Sequence, residues 1–284
     1  MKRKIAVVTG ATGGIRLEIT RALLKDGFRV IMACRNIEKA DQKRKELLLQ
    51  GSDLSEDRIE VMHLDLFSLS GVAAFADKLL RREEKLNVLI NNAGTISSSY
   101  SQTQEGLEHT VVVNYVAPYL LTRKLLPLMD SGSRIVNIIS CTYVIGKLTF
   151  PDFFTRGRCG AFRRLLVYSN TKLALLLFTL SLSDKLRERN VSVNAVDPGI
   201  VSTDMITMQK WFDPLTDIFF RPFIRTPYQG ASTAVQALLN QQWKYTTGTL
   251  FVSDKPGKLS GNYLRHPQMR ELWEKTEEIV KEWL

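Results

Sequence analysis

Cysteine and histidine are scarce in this chain of 284 residues, with three of each. The cysteines, Cys34, Cys141 and Cys159, are odd in number and show no C-x-x-C spacing, and the histidines are scattered. These absences argue against a disulfide framework and against a zinc site. A reducing, intracellular setting is then the default, and we expect a cytoplasmic protein.

Long apolar runs are also absent. The longest, residues 173–180, is far shorter than the roughly 18 residues that a membrane-spanning helix needs. An apolar stretch typical of a first strand begins within a few residues of Met1. We therefore expect neither a transmembrane segment nor a signal peptide.

The formal charge is +10, but the basic residues do not form one long block. Such an excess admits phosphates, nucleic acid or an acidic membrane surface as partners. Because the chain has no nucleic-acid recognition motif, we expect no nucleic-acid partner. A solvated surface explains most of the basic residues.

Apolar strands alternate with helical segments along the chain. The predicted strands fall at 5–8, 29–34, 59–63, 88–90, 134–139, 191–196 and 249–252. This alternation predicts an α/β fold of Rossmann type, with a doubly wound parallel sheet of about seven strands and helices on both faces. No linker composition or internal repeat divides the chain, so residues 1–284 are expected to form one domain.

A glycine-rich turn lies between the first strand and the first helix. It comprises Thr9, Gly10, Ala11, Thr12, Gly13, Gly14 and Ile15. Glycines allow the backbone to approach a pyrophosphate, and the helix N-terminus supplies N–H groups and the positive end of a dipole. The pattern predicts a dinucleotide-binding turn.

The second strand ends in Arg35 and Asn36, and no acidic residue stands there. An acidic residue would bond the ribose 2′-hydroxyl and favour NAD. Arg35 can instead pair with a 2′-phosphate through its planar guanidinium, and Lys39 lies about one helical turn further on. We expect NADP(H), with NAD(H) as the alternative coenzyme.

Tyr168 and Lys172 are four residues apart in a predicted helix and share one face. A phenol loses its proton only near pH 10, and a cation one turn away lowers that pKa. The pair is a candidate for proton transfer at neutral pH, with a solvated helix face as the alternative. Ser140 follows the fifth strand, at the edge where open α/β sheets bind ligands.

These motifs together resemble the short-chain dehydrogenase/reductase family over nearly the whole chain. In order they are Thr9-Gly10-x-x-x-Gly14-Ile15, Asn91-Asn92-Ala93-Gly94, Asn114, Ser140, Tyr168-x-x-x-Lys172 and Pro198-Gly199. The ending Ala33-Cys34-Arg35-Asn36 and the long segment between Ser140 and Tyr168 look like the retinol-dehydrogenase-like branch. The resemblance implies an enzyme that transfers a hydride between a nicotinamide and a carbonyl or alcohol carbon.

The resemblance also implies roles for four residues. Tyr168 would donate a proton to the carbonyl oxygen, and Ser140 would hydrogen-bond the same oxygen. Lys172 would lower the tyrosine pKa and bind the nicotinamide ribose. Asn114 would hold a water that links Lys172 to solvent.

Coenzyme-binding residues follow from the same resemblance. Asp65 would meet the adenine, Asn92 and Gly94 would line its ribose, and the nicotinamide end would lie against Ile200 and Thr203. The full implied set is Thr9, Gly10, Thr12, Gly13, Gly14, Ile15, Arg35, Asn36, Lys39, Asp65, Leu66, Asn92, Ala93, Gly94, Tyr168, Lys172, Pro198, Gly199, Ile200 and Thr203.

Residues 141–166 and 204–226 are expected to form a substrate loop and a lid. Their aromatic residues and methionines favour an apolar pocket, with local core packing as the alternative. We expect an apolar carbonyl or alcohol of steroid, retinoid or long-chain ketone type. A homodimer is compatible with the resemblance.

Arg16 stands where the family has a third glycine. That glycine permits close approach of helix and strand, so an arginine must turn outward, contact a coenzyme phosphate or obstruct the site. Crowding in a packed place costs about 1–3 kcal/mol, so we expect obstruction. A weakly active or inactive NADP(H)-binding scaffold is therefore the alternative to an enzyme. A nucleotide-sugar epimerase or dehydratase is disfavoured, because such enzymes usually have a different glycine spacing and a longer C-terminal substrate domain.

Overall fold

Strands and helices alternate along the chain, as the sequence predicts. The protein's structure, a computed structural model, describes residues 3–50, 54–97, 99–150, 152–156, 161–201 and 225–284. The strands are β1 (Ile5–Thr9), β2 (Arg29–Cys34), β3 (Ile59–His63), β4 (Val88–Asn91), β5 (Arg134–Ile138), β6 (Ser192–Asp197), β7 (Leu250–Val252) and β8 (Lys255–Pro256). The helices are α1 (Ile15–Lys25), α2 (Ile37–Gln50), α3 (Leu69–Leu80), α4 (His109–Val111), α5 (Ala117–Leu125), α6 (Ala161–Lys185), α7 (Pro227–Leu239), α8 (Gly261–Leu264) and α9 (Met269–Val280).

Within the described residues the strands form one sheet, in the order β3-β2-β1-β4-β5-β6-β7-β8. Neighbours from β3 to β7 are parallel. The order reverses between β1 and β4, and ligands of open α/β sheets bind at the carboxyl ends of strands at such a switch point. The predicted doubly wound α/β fold is confirmed.

The sheet has one strand more than the seven predicted. β8 pairs antiparallel with β7 through a turn at Ser253 and Asp254, whose φ angles of 49° and 69° are left-handed. Turns of this kind are usually signalled by glycine or asparagine, and neither is present here. β8 is only two residues long and contains Pro256, which is tolerated because it lies at the sheet edge.

Apolar layers cover both faces of the sheet. In β1, Ile5 and Val7 join one layer and Ala6 and Val8 the other, since successive side chains of a strand point to opposite faces. A strand buried on both faces must be apolar throughout, which explains the uninterrupted run in β1.

α6 is the long core helix of one layer. Over Arg164–Lys185 it is long and apolar enough to cross a membrane by length and composition, with a mean hydropathy of 1.5. However, 72% of its apolar window is buried inside the protein, as in a core helix. It is the only such helix among the described residues.

α4 begins at His109, because Glu108 caps it by accepting a hydrogen bond from the Val111 N–H at 2.8 Å. A π-helical turn, Val112–Val116, then separates α4 from α5. α6 begins at Ala161, inside the segment 141–166 that was predicted to be a substrate loop.

Candidate active site

A cavity of about 540 Å³ lies at the carboxyl edge of the sheet. It is bounded by the glycine turn, the ends of β4, β5 and β6, and one face of α6. The predicted site residues that line it are Thr12, Gly13, Gly14, Ile15, Lys39, Asn92, Gly94, Ser140, Tyr168, Lys172, Pro198, Gly199 and Ile200. The topology thus brings together residues from six separate places in the sequence.

The glycine turn leads directly into α1. Gly14, the residue before the helix, has a φ of 54°, a conformation that favours glycine. Among the described residues, no side chain hydrogen-bonds this helix end as a cap. A Cβ at Gly13 would meet nothing within 4 Å. The turn therefore leaves room beside a helix N-terminus, as a bound phosphate requires.

Thr9 supports this turn from below. Its hydroxyl donates to the Ile90 carbonyl at 3.2 Å and accepts from the N–H groups of Asn92 and Ala93, both at 3.0 Å. Thr9 is 1% exposed and does not line the cavity. Its hydroxyl ties β1 to the segment after β4, and coenzyme binding by Thr9 stays a prediction.

Asn92 tests whether the cavity fits a coenzyme. The residue is 7% exposed, and its Nδ2 has no hydrogen-bond partner among the described residues. Leaving a buried amide unpaired costs about 1–3 kcal/mol. Asn92 lines the cavity beside the glycine turn, so the amide is placed to bond a ligand there. The donors and the space fit a dinucleotide.

Tyr168 and Lys172 occupy the opposite wall. The Lys172 ammonium is buried, donates to the Ile138 carbonyl at 2.9 Å and lies 5.3 Å from the centre of the Tyr168 ring. The predicted same-face arrangement is therefore present.

The expected lowering of the tyrosine pKa is wrong for the protein's own groups. Burial raises the pKa of the Tyr168 phenol to about 12, and hydrogen bonding with Ser140 acts against this rise. Burial, followed by the charge of Arg16, lowers the pKa of the Lys172 ammonium to about 7. Desolvation disfavours both charged forms, so the lysine is only partly charged at neutral pH.

Ser140 begins the 3₁₀ turn Cys141–Ile145 directly after β5. Its hydroxyl accepts from the Thr142 N–H at 3.4 Å. It also hydrogen-bonds with Tyr168, which brings the two predicted catalytic hydroxyls together.

Asn114 lies in the π-helical turn, behind the cavity wall. Its Nδ2 donates to the Thr95 carbonyl at 2.9 Å and to the Thr171 hydroxyl at 3.2 Å, and its Oδ1 accepts from the Thr95 N–H at 2.8 Å. Asn114 Oδ1 and Lys172 Nζ both face Gly94, at 3.5 and 3.6 Å from where a Cβ would stand. The asparagine therefore holds the segment against which Lys172 lies.

Several predicted coenzyme residues lie outside the cavity wall. Arg35 and Asn36 are exposed after β2, and Asn36 Oδ1 accepts from the Lys39 N–H at 2.8 Å. Asp65 accepts from the Phe67 N–H at 3.0 Å, while Leu66 is buried in the core. Gly10 and Ala93 pack against each other at the end of β1. Thr203 lies outside the described residues.

The predicted substrate segments are only partly described. From 141–166, Cys141, Thr142 and Leu165 line the cavity. Phe153 and Phe154 are buried in the core, which agrees with the alternative of local core packing for these two residues. Of the predicted lid over 204–226, all but the last two residues lie outside the described residues.

The site contains two charged residues that the predicted set of site residues did not include. Asp197, at the end of β6, is buried, and its Oδ1 accepts from the Gly199 N–H at 2.9 Å. Burial raises the pKa of this carboxyl, while its charge opposes the lowering of the Lys172 pKa. Arg16 lines the cavity, so it does not turn outward. The only sequence signal for Asp197 is its position at the end of a predicted strand, where site residues of this fold lie.

Gly146 holds the 3₁₀ turn after Ser140 against α6. A Cβ at this position would stand 2.6 Å from the Ser169 carbonyl oxygen and 2.8 Å from Leu173 Cβ. Gly146→Ala should therefore lower the free energy of unfolding by about 1–3 kcal/mol, measured by urea denaturation. Gly261→Ala is the control, because its Cβ would meet nothing within 4 Å. Equal losses in the two variants would contradict the predicted close packing.

Comparisons with known proteins agree with this geometry. A family model described as short chain dehydrogenase matches residues 4–153 and 157–211. The chain belongs to the short-chain dehydrogenase family. It is thus an NAD(P)-dependent oxidoreductase acting on alcohol and carbonyl groups.

Retinol dehydrogenases are among its relatives. Retinol dehydrogenase 14 of Mus musculus is 35% identical, with 99% of this chain and 86% of the relative covered. Retinol dehydrogenase 12 of Homo sapiens is 32% identical, covering 98% and 86%. This short-chain dehydrogenase is therefore similar to retinol dehydrogenases over nearly its whole length, as predicted.

Solved structures share the fold. An uncharacterised protein of Mycobacterium Paratuberculosis superposes with a TM-score of 0.76 and 25% identity, covering 98% of this chain and 93% of the other. A blue fluorescent protein from a metagenomic library, solved in complex with NADPH, has a TM-score of 0.67 and 26% identity, covering 87% and 94%.

Proposed function

We propose that this short-chain dehydrogenase interconverts apolar carbonyl compounds and alcohols, with NADP(H) as the coenzyme. The observation that carries the proposal is the meeting of Ser140, Tyr168 and Lys172 in one cavity with the glycine turn. The turn provides the place for a diphosphate, and the three side chains provide the groups that a carbonyl reduction needs.

The reaction assigns one task to each group. When bound, the nicotinamide supplies or accepts the hydride. Tyr168 donates its proton to the carbonyl oxygen in reduction, which requires the neutral phenol that its raised pKa provides. Ser140 bonds the same oxygen and fixes its position. Lys172 binds the nicotinamide ribose and, when protonated, stabilises the phenolate that proton donation leaves behind.

Asn114 has a supporting role in this proposal. Its side-chain amide already bonds Thr95 and Thr171, so it keeps the π-helical turn in place beside Lys172. A water that links Lys172 to solvent would then bond the main chain of this turn or the remaining lone pair of Asn114 Oδ1.

The preference for NADP(H) rests on the end of β2. Arg35 is exposed there, no acidic residue stands beside it, and Lys39 reaches the cavity wall. Two cations near the adenine-side ribose suit a 2′-phosphate better than a free hydroxyl.

The apolar substrate is supported by the remaining wall of the cavity. Its aliphatic residues are Ile96, Ile138, Ile139, Leu165 and Val201. The relatives named retinol dehydrogenases support a retinoid or another long apolar aldehyde or alcohol. A steroid or long-chain ketone fits the same chemistry.

The test is NADPH consumption, followed by absorbance, with a panel of retinoid, steroid and long-chain aldehydes and ketones. We expect turnover with apolar members and little with short polar aldehydes. A scaffold without turnover, the alternative raised by Arg16, would bind NADPH but leave its absorbance unchanged with every substrate. Failure to bind NADPH would overturn the proposed coenzyme.

A further inference from the structure

Arg16 lies inside the cavity, over the junction of β1 and β4. Its Cδ stands 3.4 Å from where a Cβ on Gly10 would be, and Ala93 Cβ stands 3.1 Å from the same point. The turn beneath it stays closed, since the Thr12 N–H donates to the Gly10 carbonyl at 2.8 Å. The arginine is thus accommodated without forcing the turn open, and it is half-buried.

The surroundings of Arg16 would complement an anion. It belongs to the first turn of α1, where the helix dipole is positive. Asn92 lines the same cavity, and its buried side-chain Nδ2 has no hydrogen-bond partner among the described residues. A guanidinium offers five donors in a planar fork that matches phosphate oxygens. A cation at this helix end is unfavourable by itself and becomes favourable beside a diphosphate.

Arg16 and Lys172 line the same cavity and lie against neighbouring parts of it, Arg16 Cδ 3.4 Å from where a Cβ on Gly10 would stand and Lys172 Nζ 3.6 Å from where a Cβ on Gly94 would stand. The groups that face this lysine are Arg16 from α1, Asp197 from β6, Tyr168 one turn earlier on α6, the Ile138 carbonyl of β5 and Asn114 of the π-helical turn. After burial, the charge of Arg16 is the largest cause that lowers the Lys172 pKa. An anion paired with Arg16 would cancel that repulsion.

We propose that Arg16 is a ligand of the coenzyme diphosphate, and that this pairing allows Lys172 to take up a proton from solvent when the coenzyme binds. Coenzyme binding would then charge the lysine just where the phenolate of Tyr168 is to be stabilised. This inference rests on the proposed NADP(H) function. Arg16 does not take part in the proton transfer itself; its charge acts on the protonation of Lys172.

Calorimetric titration of NADPH tests both parts. The proteins are the wild type, Arg16→Met, Arg16→Lys and Lys25→Met, which removes an equal charge from an exposed position on α1. Arg16→Met should raise the Kd by about 10- to 100-fold, as expected for a lost hydrogen bond to a charged group, with a shallower salt dependence. Arg16→Lys should lose less, and Lys25→Met should match the wild type.

Proton uptake is measured by repeating each titration in two buffers with different ionisation enthalpies. Because burial and the charge of Arg16 lower the Lys172 pKa to about 7, part of this lysine is neutral near pH 7.5 before binding, so the wild type should take up protons. Arg16→Met starts with a more protonated lysine and should take up fewer. Protons exchanged by the coenzyme itself are common to all four proteins.

The outcomes separate the two hypotheses. NADPH binding by Arg16→Met that is as tight as the wild type, or tighter, would overturn the ligand role and show obstruction instead. Weaker binding with unchanged proton uptake would overturn the link to Lys172. Absence of NADPH binding by all four proteins would overturn the proposed function itself.

Discussion

Tyr168→Phe should lower turnover by about 100-fold or more while the protein stays folded. The change removes one hydroxyl and keeps the ring, so packing on α6 is preserved. The hydroxyl is the group that bonds with Ser140 and would donate the proton, and the described cavity wall has no second phenol. The measurement is kcat under saturating NADPH with the best apolar substrate.

Tyr143→Phe is the matched control. Tyr143 is half-buried in the 3₁₀ turn after Ser140 and does not line the cavity. Its ring packs edge-on against Tyr263, with 5.2 Å between the ring centres. It should keep most of the wild-type rate. A Tyr168→Phe protein with near-normal kcat, or equal losses in the two variants, would refute the assignment of Tyr168 as the proton donor.

The sequence predicted which residues would lie together where their placement depends on short local patterns. The glycine turn, the Tyr168–Lys172 spacing and Ser140 all fall at strand ends or on one helix face, and a parallel sheet gathers strand ends at one edge. Most residues that line the cavity therefore belong to motifs that can be recognised in the sequence.

The pKa values of the site residues could not be predicted from such local patterns. The sequence shows that a lysine is four residues from a tyrosine, but the pKa of both groups depends on how deeply they are buried. Burial, together with Arg16 and Asp197 from distant elements, sets the Lys172 pKa. The same holds for Thr9, whose three hydrogen bonds to the end of β4 and the residues after it could not be predicted from the glycine motif.

Arg35→Ala should weaken NADPH binding by about 1.5–3 kcal/mol, the range for a hydrogen bond to a charged group, and leave NADH binding nearly unchanged. Arg35 is exposed after β2, where dinucleotide folds place the adenine-side ribose. The 2′-phosphate is the only group that distinguishes the two coenzymes, so a selective loss identifies its ligand. The measurement is the dissociation constant of each coenzyme by fluorescence titration.

Two comparisons make this test specific. Arg270→Ala removes an equal charge from α9, where the side chain is 89% exposed, and should change neither constant. Arg16→Met should weaken both coenzymes, because NADPH and NADH share the diphosphate. An arginine that binds the 2′-phosphate should therefore affect only the NADPH dissociation constant, and one that binds the diphosphate should affect the constants of both coenzymes. An Arg35→Ala protein that loses NADPH and NADH equally would show that Arg35 does not bind the 2′-phosphate, and the preference for NADP(H) would then lose its main support.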